Sequence, residues 1–385
     1  MFFPPKNNSL LMGQYFYVSK RTLCEPYRDW IEHIDNDGLI RYKFILNSER
    51  LLPTSPKALT EVLVSKNYDF EKPIQLRLAL GKVIGQGIIL QEDADHKHQR
   101  KHMGPAFSTA HIKALYPVFW SKAKELADEL ASNVTRSSSD GELSPEIDVG
   151  EWAARATLDI IGIAAMGQDF GCIRDPENEL STCYRNLRNV LLAKTKPGVK
   201  MLLSLLFSSG DLRLIKGNDD GLDAGGASVR RIARDQVQKK REACKEGLSP
   251  GIDILSILLQ SDAFSDEELV DQAMTLLMAG HETTAASITW AMYALCRFPE
   301  VQSRLRREIF ETFPTLTHGQ TGDDNMGAKE MIDRLPYLSA VCNEVLRLYP
   351  PGPRTIRMAN KDTTILGQHV PKGTPVIVSP WAINA

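Results

Sequence analysis

The order of apolar and polar positions along the chain predicts a mainly helical protein with short strands near its two ends. Residues 38–44 and 50–52 alternate in the manner of strands and flank a polar turn. Ser55 and Pro56 offer a helix cap and a proline at the first helical position, so a helix is expected from here through Val64. Helical patterns dominate most of the chain after Val64.

The best-defined helix is predicted to extend from Asp266 to Arg297. Ser265 and Glu268 form the capping-box pattern at its start, and a proline soon after Arg297 ends it. At about 1.5 Å per residue this helix is about 48 Å long, the width of a whole domain. Both sides of its middle are apolar, so we expect it at the centre of the molecule.

The last part of the chain changes character. A helix is predicted from Pro336 through Leu348, where a proline-rich segment ends it. Three short strands are then expected at residues 354–360, 363–366 and 375–379, joined by turns that contain glycine.

Three polar segments are predicted to be surface loops: residues 137–146, 208–228 and 318–327. None is long or regular enough for a domain linker, and the chain has no internal repeat. We therefore expect residues 1–385 to form a single domain of the α+β class, mainly α with small β-sheets.

Composition narrows the range of partners. The chain of 385 residues has 46 Lys plus Arg against 48 Asp plus Glu, so no nucleic acid partner is expected. Its six cysteines form no CxxC pair and no metal-ligand cluster, which favours a reducing compartment. No stretch reaches the roughly 18 apolar residues of a membrane span, and the N-terminus lacks a signal-peptide pattern. The chain is expected to be intracellular, without a membrane anchor.

The middle of the long helix carries an unusual set of residues. Gly280 weakens the helix by about 1 kcal/mol relative to alanine, and threonines such as Thr283 can bond to a carbonyl one turn back. With Glu282 beside them, these residues suggest a site for a small ligand or a water. The alternative is packing, with glycine at a close helix crossing and Glu282 paired with a buried base. A zinc site is excluded, because the residue four positions after His281 is Ala285.

A second pattern lies on the later helix. Glu344 and Arg347 are three residues apart, so they share a helix face and can pair. By itself such a pair is common and weak. It is followed by a strand that carries Arg354 and Arg357.

Together these patterns resemble the cytochrome P-450 family. Residues 279–284, Ala-Gly-His-Glu-Thr-Thr, are similar to the family's oxygen-binding helix motif, and Glu344 with Arg347 is similar to its core helix pair. Residues 95–101, followed by Pro-Ala-Phe-Ser at 105–108, resemble the helix that crosses the haem propionates. The resemblance spans essentially the whole chain and implies a cytochrome P-450-like fold.

The resemblance implies haem b (heme) as the cofactor. Arg100 matches the propionate-binding arginine, His96 stands where the family usually has tryptophan, and Arg354 corresponds to a further propionate contact. Arginine suits this role because its guanidinium binds carboxylates with charge-assisted bonds.

The resemblance also assigns roles along the oxygen-binding helix. Ala279, Gly280 and Thr283 would border the cofactor, with the bend at Gly280 making room for O2. Thr283 and Glu282 would place a water and deliver protons. Glu344 and Arg347 are expected to form a structural pair, not a catalytic one.

The chain departs from the family at its end. The family holds its iron through a cysteine thiolate in a glycine-rich loop downstream of the core pair. This sequence ends at Ala385 before such a loop, and none of its cysteines stands in that context, so no metal ligand is assigned. The fold is therefore expected to be incomplete at the C-terminus, and these residues alone are expected to bind haem weakly or not at all and not to catalyse hydroxylation.

Two functions are carried forward. The first is a haem-dependent monooxygenase, a monomer that inserts one oxygen atom from O2 into an apolar organic substrate with electrons from a reductase. For a full-length family member the resemblance implies the cytoplasmic face of the endoplasmic reticulum membrane. The second is a non-catalytic truncated remnant that binds haem, lipid or a protein partner. Coding sequence for a cysteine loop beyond Ala385 would favour the first.

Overall fold

The structure is a computed structural model that describes residues 9–22, 24–139, 146–192, 220–247, 251–313, 332 and 334–384. Its helices are α1 Tyr15–Lys20, α2 Glu25–His33, α3 Pro56–Thr60, α4 Ile74–Ile84, α5 Asp93–Met103, α6 Thr109–Ala114, α7 Tyr116–Ser139, α8 Val149–Met166, α9 Glu179–Leu192, α10 Asp220–Lys245, α11 Ile254–Gln260, α12 Asp266–Arg297, α13 Pro299–Thr312, α14 Pro336–Leu348 and α15 Pro380–Asn384. Its strands are β1 Leu39–Lys43, β2 Glu49–Pro53, β3 Phe70–Glu71, β4 Thr355–Ala359, β5 Thr363–Ile365, β6 Gln368–Val370 and β7 Pro375–Val378.

Five of the strands form one sheet in the order β1-β2-β7-β4-β3. Only the β2–β7 pair is parallel, and the other neighbours are antiparallel. The sheet therefore joins the strands near the N-terminus to those that follow α14. The remaining two strands, β5 and β6, form a separate antiparallel pair.

Helix α12 is the centre of the helical part. It packs most extensively on α8, and it also contacts α4, α10, α11, α13 and α14. The main apolar core lies between these helices, with Leu158, Val229, Leu258 and Leu277 among its fully buried members. Burial on several sides explains why the first half of α12, from Leu269 to Leu277, is largely apolar.

The fold class predicted from sequence is confirmed: the protein is mainly helical with small sheets. The capping box of α12 is formed, because the Glu268 amide donates to Ser265 Oγ at 3.3 Å and the Ser265 amide donates to Glu268 Oε2 at 2.8 Å. The predicted bounds of α12 and α14 match those observed. The helix expected through Val64 is regular only to Thr60 and continues as a π-helical turn.

Two local predictions were wrong. Residues 220–228 were placed in a surface loop but begin α10, because glycine allows close helix packing there. A Cβ on Gly226 would lie 2.2 Å from the Lys82 carbonyl of α4, and one on Gly225 would lie 2.7 Å from Leu187. Strand β6 was not foreseen, since three residues are too few to show a period.

The structure describes only parts of the other segments that were predicted to be loops. Helix α7 continues to Ser139, so the start of the first predicted loop is helical. Residues 208–219 and 318–327 lie outside the described part of the chain. Among the residues that the structure describes, no helix is long and apolar enough to cross a lipid bilayer.

The crossing of α8 and α12 depends on Gly280. A Cβ at this position would meet Ile161 of α8 at 2.5 Å from Cγ1 and 3.1 Å from Cβ. Rotation of the Ile161 side chain cannot remove the second contact, because its Cβ is attached directly to the backbone. One turn along α8, Thr157 Oγ1 lies 3.1 Å from the carbonyl oxygen of His281. The crossing is therefore both close and hydrogen-bonded.

We predict that Gly280→Ala destabilises the protein. The clash with Ile161 should cost about 1–3 kcal/mol, against about 1 kcal/mol gained in helix propensity. In the background of Ile161→Ala the two contacts at 2.5 Å are removed and only the Cβ contact at 3.1 Å remains, so the same glycine substitution should destabilise the protein much less. Urea unfolding of the four proteins measures this difference. Gly104→Ala is the control, since a Cβ there meets nothing within 4 Å; equal effects of Gly280→Ala in both backgrounds would contradict the prediction.

Candidate functional site

Helix α5 presents two different faces. Gln99 faces the interior, where its side-chain oxygen accepts a hydrogen bond of 2.8 Å from Gln272 of α12. His96 and Arg100 are one turn apart, so they share another face of the helix. Helix α5 is thereby fixed against α12 while its basic face is left for other contacts.

The basic face of α5 lies close to the sheet. His96 Nδ1 is 3.2 Å from the hydroxyl of Tyr68, in the segment before β3. Burial lowers the pKa of His96, and three nearby cations lower it further: Lys72, Arg100 and Arg357. A neutral imidazole therefore lies among several positive charges.

The charges around His96 are not all balanced. Lys72 pairs with Glu92 at 3.0 Å. Arg100 is exposed, and its side chain forms no hydrogen bond or ion pair with any residue that the structure describes. Arg357 of β4 donates from Nη1 to the neighbouring Thr355 hydroxyl and Ile356 carbonyl, both at 3.0 Å. Two guanidinium groups thus lack a close carboxylate partner within the described chain, and such a cluster suits a ligand with carboxylate groups.

Arg354 is not brought to this cluster. Its Nη1 lies 3.5 Å from the hydroxyl of Tyr27, in the aromatic core between α2 and the sheet. Ile356 packs against the same core, whereas Ala359 belongs to the core on the other side of the sheet. Side chains alternate between the faces of a strand, so residues 354 and 357 point to opposite faces.

The arginine of this strand that lies near His96 is therefore Arg357. It was noted beside Arg354, but only Arg354 was assigned to the cofactor. The alternation of strand β4 together with the position of α5 selects Arg357 as the neighbour of His96. The pairing of β4 with β3 brings this strand next to the segment of Tyr68.

In the middle of α12, the threonines lie on the exposed side. Thr283 Oγ1 donates a 2.6 Å hydrogen bond to the carbonyl of Ala279, one turn back, as the sequence suggested. Thr284 is exposed as well. Gly280 faces Ile161 instead, so the packing alternative describes its surroundings.

Glu282 lies on a different side of α12 from Thr283. Its Oε1 is 3.4 Å from Nε2 of His281, whose side chain is buried and packs on Tyr184 of α9. The contact with His281 lowers the pKa of Glu282, burial opposes this, and the positive charge of Arg188 lowers the pKa further. The structure thus separates the acid from the hydroxyl and pairs Glu282 with a buried base.

The pair on α14 forms as expected. Arg347 donates to both carboxylate oxygens of Glu344, each at 2.8 Å. It also donates to the carbonyl of Asn384, so that α14 is tied to α15. Both side chains are about half exposed, which fits a structural role for the pair.

A haem fits part of this arrangement. Its two propionates are carboxylates, and they match the unbalanced cations Arg100 and Arg357 beside His96. The described residues contain no group of three or more metal-ligating side chains. The described residues therefore fit the carboxylate edge of the cofactor.

Comparison with known proteins indicates the family to which the chain is similar. The sequence model of the family named Cytochrome P450 matches residues 42–385. Cytochrome P450 monooxygenase sphH of Aspergillus fumigatus is 41% identical over 99% of this chain. A cytochrome P450 monooxygenase of Alternaria alternata is 38% identical over 93% of the chain, and one of Gibberella moniliformis is 41% identical over 93%.

This chain spans about two thirds of these relatives: 69%, 64% and 62% of their lengths, respectively. The match of the family model covers most of the chain, including α5, α12, α14 and the sheet. The chain belongs to the cytochrome P450 family, the family of haem-dependent monooxygenases.

Proposed function

We propose that the protein acts as a haem-dependent monooxygenase that inserts one oxygen atom from O2 into an apolar organic substrate. Electrons come from a separate reductase, and the protein acts as a monomer at the cytoplasmic face of the endoplasmic reticulum membrane. Family membership and the names of the relatives support the reaction class. The observation that carries the proposal is the unbalanced pair Arg100 and Arg357 beside a neutral His96.

In this proposal the haem propionates bind between α5 and β4. Arg100 and Arg357 supply charge-assisted hydrogen bonds, and His96 supplies a neutral polar contact beside them. Arg354, assigned by resemblance, would instead support β4 from the opposite face through Tyr27. When bound, the haem supplies the iron at which O2 is activated, held in the family by a cysteine thiolate.

The residues of α12 handle protons in this proposal. The Thr283 hydroxyl, on the exposed side of the helix, donates to the Ala279 carbonyl and keeps its oxygen lone pairs to accept a hydrogen bond from a water. Glu282 is the neighbouring acid, held towards α9 by His281 and Arg188. Ala279 and Gly280 complete the stretch of α12 that would border the cofactor.

We expect Arg100→Ala and Arg357→Ala each to weaken haem binding by roughly 10- to 100-fold. Each removes a charge-assisted hydrogen bond to a carboxylate, worth about 1.5–3 kcal/mol. The dissociation constant can be measured by quenching of tryptophan fluorescence on haem addition. Lys101→Ala removes the same charge from the next position on α5 and should change the constant no more than about twofold.

The proposed propionate site would be refuted if the two arginine variants had the same dissociation constant for haem as Lys101→Ala. Arg354→Ala adds a second comparison, because its neighbours predict a loss of fold stability without a direct loss of propionate contacts. The reaction class is tested separately on protein isolated from the cells that produce it. A thiolate-type spectrum of its reduced carbon monoxide complex is expected, and its absence would overturn the proposed function.

We predict that Thr283→Ala uncouples the enzyme, so that less product forms per NADPH consumed. The substitution removes the hydroxyl of residue 283 and leaves the helix itself intact. Product and NADPH are measured together with a reductase and a substrate. Thr289→Ala is the matched control, since Thr289 makes the same bond, to Ala285 at 2.8 Å, further along α12. Thr283→Ser should restore coupling, and unchanged coupling in Thr283→Ala would refute the role.

A further inference from the structure

The buried side of α12 holds an imidazole in an unusual setting. The side chain of His281 is 1% exposed. The ring of Tyr184, from α9, covers it with 4.2 Å between centroids. From α8, the Thr157 hydroxyl contacts only the backbone carbonyl of His281. Water therefore has little access to the ring.

The hydrogen bonds of His281 determine where its protons lie. Nδ1 is 2.8 Å from the carbonyl of Leu277, and a carbonyl can only accept, so Nδ1 carries a hydrogen. Nε2 is buried and has no hydrogen-bond partner among the described residues. The polar atom nearest to it is Oε1 of Glu282, at 3.4 Å.

A bare Nε2 and an ionised Glu282 would place two electron-rich atoms against each other in a buried site. Such an arrangement costs free energy because water cannot screen it. A single proton between the two atoms removes the repulsion and leaves the pair neutral overall. The nearby charges are consistent with a neutral pair. Arg188 is the other cation that faces Glu282, and its charge is already balanced by Glu151 of α8 at 3.1 Å.

We propose that His281 and Glu282 share one proton, so that His281 is a positioning residue that holds Glu282 towards α9 and keeps a proton beside it. The inference rests on the proposed function for the role of Glu282 as an acid. The contact with His281 lowers the pKa of Glu282, which favours the ionised carboxylate beside the ring.

Transfer of this proton is balanced within the pair. The Nε2–H bond breaks and an Oε1–H bond forms, which leaves a neutral imidazole and a neutral carboxylic acid. Nδ1 keeps its hydrogen on the Leu277 carbonyl throughout. The carboxyl group loses its charge in the step and with it its attraction to Arg188. Glu282, whose side chain is 31% exposed, can pass the proton to a solvent water, and uptake of one proton from solvent restores the pair.

The experiment counts protons on the pair by nitrogen NMR and infrared spectroscopy. The whole chain is labelled with ¹⁵N-histidine, and His281→Asn identifies the His281 signal among eight histidines. At neutral pH the ring of His281 should carry hydrogen on both nitrogens, and no carboxylic acid band should depend on Glu282. In Glu282→Gln the ring should carry hydrogen on Nδ1 alone.

Two comparisons sharpen the result. Arg188→Met removes a cation from Glu282 without touching His281, and it should leave the shared proton in place. The exposed His369 serves as an internal reference that none of these variants should change. If a variant fails to fold, the infrared and nitrogen spectra of the native chain still count the protons.

A neutral ring with a Glu282 acid band would keep the shared proton and move it to oxygen, which supports the proposal. A bare Nε2 beside an ionised Glu282, or protons on both groups at once, would overturn it. So would an unchanged ring in Glu282→Gln. None of these readouts needs bound haem or turnover, so their outcome is independent of whether the proposed monooxygenase function is correct.

Discussion

Helices α8 and α12 approach so closely at Gly280 that a single added carbon would meet Ile161 at 2.5 Å. This crossing fixes the rotation of α12 about its own axis. With Gly280 turned towards α8, the His281 side chain is buried beside Tyr184 of α9, and Thr283 is left on the exposed side. Every other contact of the central helix follows from that orientation.

The orientation explains why adjacent residues have separate surroundings. Successive side chains on a helix are about 100° apart, since there are about 3.6 residues per turn. Glu282 is therefore held by His281 and Arg188 on the side of α12 that faces α9, while Thr283 bonds to Ala279 on the exposed side. A run of polar residues that looks like one site in the sequence is divided between two faces in the structure.

Neighbouring side chains are also separated in the sheet, where they alternate between the two faces with a period of two residues. Strand β4 turns Arg354 towards Tyr27 and Arg357 towards α5, because alternate residues point to opposite faces. Helix α5 reaches this sheet because Gln99 holds it on Gln272 of α12. The basic cluster is thus assembled from two elements that are far apart in sequence: α5, held on the central helix, and β4, held in the sheet.

The sequence by itself determined the elements whose signals are local. The capping box at Ser265, the apolar length of α12 and the proline-bounded α14 predicted their bounds, because caps and periodicity act within a few residues. The Glu344–Arg347 pair was equally local, since both residues share one helix face. The motif spacing was enough to indicate the family.

Only the tertiary structure decided which residues meet. The glycines at 225 and 226 suggested a loop because their close contacts with other helices are invisible in the chain itself. The structure likewise placed Arg357, and not Arg354, near His96, and it placed His281 against Glu282. Both placements depend on which face each element turns to a distant neighbour. Local rules set how a segment folds, but the direction in which a side chain points is set by packing between segments.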